Sequence, residues 1–136
     1  MGKLVKIFIV DDDEDIVLLV KKYLEYKGHK IIDYAFNGKE AIQKFKNFNI
    51  FPDLVLMDHR MPFKNGIQTT KEILKINPLT NIIFLSADIT VREEAINLGV
   101  ISFIVKPIKL FMLTEKIYDV FQKKKNCSSL ESNRSY

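Results

Sequence analysis

The chain has 136 residues, 47% hydrophobic and 28% charged, and carries a net charge of +4. That length suits one domain with a real core, and the balance of apolar and charged residues excludes a disordered chain. No apolar run approaches the roughly 20 residues that a bilayer span needs, so no membrane insertion is expected. Met1-Gly2-Lys3-Leu4 leads into a strand without a signal-peptide core, and the single cysteine, Cys127, supports neither a disulfide framework nor a thiolate metal site. A reducing cytoplasm fits all of this.

The lysines are scattered over most of the expected helices, and no basic stripe interleaves with aromatics. They read as solvated helix faces, so direct nucleic-acid binding is not expected. The acids, by contrast, are concentrated from Asp11 to Asp15.

Residues 5–10 form a mostly apolar strand that ends abruptly at Asp11. Residues 15–27 are helical, with Ile16, Leu19, Val20, Tyr23 and Leu24 at core-facing spacing and Gly28 as the stop. A strand over 30–36 turns at Asn37-Gly38 into a helix over 39–47 that points Ala41, Ile42 and Phe45 inward. Leu54-Val55-Leu56-Met57 is an unbroken apolar run, the pattern of a strand buried on both faces in a parallel sheet, and it delivers Asp58. A loop then reaches Asn65-Gly66, and the next helix carries Ile67, Ile73 and Leu74 to Ile76, before Asn77-Pro78.

Residues 81–86 make another buried strand, and a short helix over 90–98 is stopped by Gly99. Residues 100–105 are the fifth strand, followed by Lys106-Pro107. A last helix over 109–123 stacks Leu110, Leu113, Ile117, Val120 and Phe121. From Asn126 the chain is polar and unpatterned, a disordered tail or the start of a linker, so the domain is placed at 1–125 and the tail at 126–136. Five alternating strand–helix units specify an α/β fold, a parallel sheet with helices on both faces.

Four of these strands end in polar residues on one sheet edge: Asp11 and Asp12, Asp58, Ser86, and Lys106. Ligands bind at that edge in open α/β sheets. Three clustered carboxylates repel one another and call for a divalent cation, and all-oxygen ligands favour Mg²⁺. A carboxylate beside such a metal can act as a nucleophile and form an aspartyl phosphate. Lys106 and the Ser86 hydroxyl would then meet the phosphoryl oxygens. Each residue also has a plainer reading. Asp13, Glu14 and Asp15 suit the first turn of a helix. Ser86 alone would be a helix N-cap, Lys106 alone a surface lysine, and Phe103 a strand residue packed at the sheet edge. His29 and His59 have no partner at a telling spacing and are assigned no chemistry.

Ile9-Val10-Asp11-Asp12, Leu56-Met57-Asp58-His59-Arg60-Met61-Pro62 with Gly66, Leu85-Ser86-Ala87, Gly99, and Phe103-Ile104-Val105-Lys106-Pro107 together resemble the receiver domain of two-component response regulators. The likeness covers about residues 4–123. It implies a flavodoxin-like (βα)5 three-layer sandwich with strand order 2-1-3-4-5, and makes Asp58 the phosphoacceptor. It gives Mg²⁺ to Asp12, Asp58, the backbone carbonyl of Arg60 and, mainly through water, Asp11. It makes Lys106 and the Ala87 backbone phosphoryl-binding groups, Ser86 the switch hydroxyl and Phe103 the switch aromatic. It also implies a cis bond between Lys106 and Pro107, and places Arg60 and Asp88 where phosphoryl lifetime is tuned, with Asp88 orienting a hydrolytic water or pairing with Arg60.

The implied partners are a sensor histidine kinase or a histidine phosphotransfer protein, and a downstream protein target. Ile16 and Leu19 are candidates for apolar contact with the donor, though core packing is the first expectation for both. A stand-alone receiver is expected, and a phosphorylation-dependent homodimer through residues 110–121 is left open. Two rivals remain. One is a receiver-fold binding module that works without phosphorylation. The other is a haloacid-dehalogenase-like phosphatase with Asp11 as nucleophile and Asp13 as general acid, which would leave Asp58 without a task.

Overall fold

A computed structural model describes residues 3–134, with side chains for residues 3–122. Its element order is β1 (Lys6–Val10), α1 (Glu14–Tyr26), β2 (Lys30–Ala35), α2 (Gly38–Lys46), β3 (Leu54–Met57), α3 (Gly66–Ile76), β4 (Ile82–Ser86), a 3₁₀ turn (Ile89–Val91), α4 (Arg92–Leu98), β5 (Ser102–Val105) and α5 (Leu110–Arg134). The five strands are parallel in order 2-1-3-4-5. The flavodoxin-like three-layer fold is therefore present.

Strand alternation sorts the core into two layers. Ile7, Ile9, Leu54, Leu56, Ile83 and Leu85 face α1 and α5, where they meet Val17, Val20, Leu24, Leu113 and Ile117. Phe8, Val10, Val55, Met57, Ile82 and Phe84 face the other way, onto Ala41 and Phe45 of α2, Ile67 and Ile73 of α3, and Ala95 of α4. The central strands β1, β3 and β4 are thus covered on both sides. That is why their sequences read as continuous apolar runs.

The buried stripe of α1 is Val17, Val20 and Leu24, while Ile16 and Tyr23 are partly buried and Leu19 is 52% exposed. This corrects the expectation for Leu19. Residues 16–20 are all apolar and admit more than one helical stripe. Packing on the sheet selects the stripe of Val17, Val20 and Leu24, and Asp13 fixes where the helix begins, its carboxylate accepting from the Asp15 and Ile16 N–H groups.

Most boundaries agree with the sequence reading to within one residue, and three elements differ in kind or extent. The fourth helical segment opens with the 3₁₀ turn, because Asp88 caps it at the Thr90 N–H. β5 begins two residues later, at Ser102, and pairs only with β4. α5 runs to Arg134, past Lys123, and no Gly or Pro stands after Lys123 to stop it. The expected polar tail over 126–136 lies outside the residues whose side chains are described.

Candidate functional site

The sheet register brings the polar strand ends together. Val10 pairs with Met57 and Met57 with Phe84, so Asp11 and Asp58 emerge side by side. Ser86 pairs with Val105, which puts Lys106 just beyond it. Backbone bonds extend the ladder across the edge: the Asp58 N–H donates to Val10 O (2.9 Å) and the Lys106 N–H to Ser86 O (3.0 Å). The Lys106–Pro107 peptide is cis.

Carboxylate oxygens of Asp11, Asp12 and Asp58 lie within 4.8 Å of one another. Asp11 and Asp58 are buried, and Asp12 is exposed. Lys106 Nζ reaches into the cluster, 2.8 Å from Asp11 Oδ2 and 3.4 Å from Asp58 Oδ1. One cation thus faces three anions. Burial first, and the neighbouring Asp11 charge second, push the Asp58 carboxyl up to about 6, against the opposing pull of Lys106 and the His59 N–H. Burial alone would lower the Lys106 ammonium, but its hydrogen bond to Asp11 and the Asp58 charge leave it raised. Such a site has an unmet need for positive charge. Hard oxygen ligands partly open to water suit Mg²⁺, which prefers one or two carboxylates plus water. These residues fit it.

The loop after Asp58 is held close to its strand. The Gly66 N–H donates to His59 O at 2.8 Å, and a Cβ on Gly66 would stand 2.2 Å from Asp58 O and 2.8 Å from His59 Cα. Only glycine lets the start of α3 approach so near. The Asn65–Gln68 capping box then fixes the helix entry.

Around the mouth, Ser86 is buried and its Oγ accepts from the Asp88 N–H at 3.0 Å. Ala87 is exposed. Asp88 accepts from both the Thr90 N–H and the Thr90 hydroxyl, which hold its carboxyl below the usual range. It also stands 3.7 Å from the Arg60 guanidinium, the across-the-mouth pairing foreseen as one of two options. Phe103 is partly buried, stacked on Phe84 with centroids 5.9 Å apart. Asp13, in contrast, spends its carboxylate on the α1 cap.

His59 was assigned no chemistry from sequence, yet it is buried, its Nδ1 has no partner among the described residues, and its ring lies 6.3 Å from that of Phe84. Its place was legible in principle. Two residues after Met57, strand alternation returns it to the Phe84 side of the sheet.

Residues 7–118 match the response regulator receiver domain family. The chain belongs to that family. It is 38% identical over 122 residues to the chemotaxis protein CheY of Thermotoga maritima, covering 88% of this chain and 98% of the relative. It is 37% identical to the CheY of Bacillus subtilis, covering 82% and 93%. Among solved structures, a CheX–CheY–BeF3–Mg²⁺ complex from Borrelia burgdorferi superposes with a TM-score of 0.82 at 29% identity, over 86% of this chain and 89% of that one. A CheY-like receiver from Methanospirillum hungatei gives 0.82 at 27% identity, over 91% and 98%. The protein is thus a receiver domain of CheY type, of the kind that serves two-component and chemotaxis systems. Among the described residues no helix is long and apolar enough to cross a membrane.

Proposed function

We propose that this protein is a phosphoacceptor signalling switch that takes a phosphoryl group from a phosphohistidine donor onto Asp58. The observation that carries the reading is the Asp11–Asp12–Asp58 cluster with Lys106 Nζ inserted between two of its members. At neutral pH, Asp58 is ionised and able to attack phosphorus. The new P–O bond forms as the donor's P–N bond breaks, and that electron pair returns to the donor imidazole.

Asp11, Asp12, Asp58 and the Arg60 carbonyl would hold Mg²⁺, which supplies charge neutralisation for the transferring phosphoryl oxygens. Lys106, the Ser86 hydroxyl and the Ala87 N–H take the remaining oxygens. To do so Ser86 gives up the Asp88 N–H that it now accepts. Phe103 and the surface of the last two strand–helix units then adjust, which changes affinity for a protein target. Arg60 and Asp88, paired across the mouth, set how readily water reaches the acyl phosphate.

On this reading the protein acts on no substrate beyond its own phosphoryl group. Its partners are a sensor histidine kinase or histidine phosphotransfer protein in the cytoplasm and a downstream protein, with a phosphorylation-dependent homodimer as a further form of output. The receiver unit occupies residues 1–125 and a polar tail 126–136.

The deciding experiment is the mass change on incubation with a small acyl phosphate, with and without Mg²⁺. A Mg²⁺-dependent phosphoryl adduct on wild type, lost in Asp58→Asn, is expected. An adduct that survives Asp58→Asn but vanishes in Asp11→Asn would transfer the nucleophile to Asp11. No adduct from any donor would leave a binding module that works without phosphorylation.

A further inference from the structure

The residue after Asp58 has two physical links that the acidic cluster does not use. Its backbone carbonyl accepts from the Gly66 N–H at 2.8 Å, which ties the Asp58–His59 segment to the start of α3. Its ring faces Phe84 at 6.3 Å with a tilt of 33°, and Phe84 stacks on Phe103 at 5.9 Å and 16°. Both separations lie in the range of interacting ring pairs. His59 is only 9% exposed, and its Nδ1 has no hydrogen-bond partner among the described residues, so the ring is held by packing.

We propose that His59 is a positioning residue that couples the state of Asp58 to Phe103 through the Phe84 ring. This rests on the phosphoacceptor reading and adds a path beside the Ser86 hydroxyl. On that reading Mg²⁺ would draw on the Asp58 carboxylate and the Arg60 carbonyl, which flank His59 in the chain, and the phosphoryl group adds charge and bulk at Asp58. The backbone of residues 58–60 adjusts, and the His59 ring attached to it moves against Phe84. Close-packed interiors pass such displacements on, because they do not compress to absorb them. Phe103, at the far end of the stack, responds.

The test places a fluorinated phenylalanine at position 103 and follows its NMR resonance as beryllofluoride and Mg²⁺ are added. Wild type is expected to shift on saturation. In His59→Ala the shift should fall at least fivefold, while the half-saturating beryllofluoride concentration moves less than twofold. His59→Phe keeps a stacking ring and lacks the nitrogen, so it should restore at least half of the shift. His59→Leu fills comparable volume without a ring and should leave the shift low; a rescue by leucine as full as that by phenylalanine overturns the ring path. A full response in His59→Ala overturns the coupling, as does a His59→Phe protein that binds beryllofluoride and leaves residue 103 unmoved. A wild type that binds beryllofluoride with no shift at residue 103 also overturns it. Wild type that binds no beryllofluoride overturns the phosphoacceptor reading itself.

Discussion

Asp58 and His29 make opposite demands on pH. Asp58 is raised to about 6 in the folded chain by burial first and the Asp11 charge second, against an unfolded value of 3.8. Between those values the native state binds the extra proton, so this group's contribution to stability falls as pH rises and its penalty is complete above about 6. The gap between 3.8 and about 6 corresponds to at most about 3 kcal/mol, and water at the open mouth reduces it to about 1 kcal/mol. Asp58→Asn is therefore expected to unfold at a higher temperature than wild type at pH 7, with the gap closing toward pH 4. A gap independent of pH would remove the electrostatic account. His29 works the other way. Its Nδ1 accepts from the Val5 N–H at 3.2 Å, and burial lowers its pKa below 6.5. The unfolded chain takes the proton first as pH falls, so His29 adds stability above about 6.5 and loses it below. His29→Gln should flatten the fall in melting temperature between pH 7 and pH 5. The carboxylates were legible in sequence because each directly follows an apolar strand, whereas the role of His29 depends on a contact between strands that no local pattern encodes.

At the scale of elements, the site depends on how closely α3 seats against the end of β3. A methyl group on Gly66 would sit 2.2 Å from Asp58 O, a backbone atom that cannot swing aside. Gly66→Ala is expected to cost about 1–3 kcal/mol, read as a lower denaturation midpoint with an unchanged m-value. On the phosphoacceptor reading it should also slow modification of Asp58 by a small acyl phosphate, because relief comes only from moving the Asp58 peptide. Wild-type phosphorylation in a destabilised Gly66→Ala protein would separate the fold from the site. The sequence placed Gly66 at a helix start but could not reveal what lies behind it. The same limit governs α1. Residues 16–20 are uniformly apolar, so periodicity could not choose between a stripe through Leu19 and one through Val17, Val20 and Leu24. Packing against the sheet chose it. β3 and β4, in contrast, were readable almost to the residue, since burial on both faces leaves no polar position to blur their ends.

Across the whole molecule, two apolar layers pack against a central sheet, and the acidic cluster sits at one edge of that sheet. The layers supply the stability that the cluster spends. Three carboxylates against one ammonium are tolerated because the strands that end in them are anchored on both faces. A divalent cation that binds only the folded cluster should therefore stabilise the entire domain by mass action. At a hundredfold excess over its dissociation constant, Mg²⁺ is expected to add about 2.7 kcal/mol. For a chain of this length that raises the melting temperature by roughly 8 °C. Sodium chloride at matched ionic strength should give little of this, since buried charges are screened weakly. Asp12→Asn and Asp58→Asn should each abolish most of the Mg²⁺ increment, for different reasons: the first removes an exposed carboxylate of the cluster with little other structural work, the second a buried one whose loss already relieves the repulsion. Their melting temperatures without Mg²⁺ should accordingly differ, with Asp58→Asn the higher. If both variants kept the full Mg²⁺ increment, the cation would be binding elsewhere, and the cluster would be a cost to the fold with no metal to offset it.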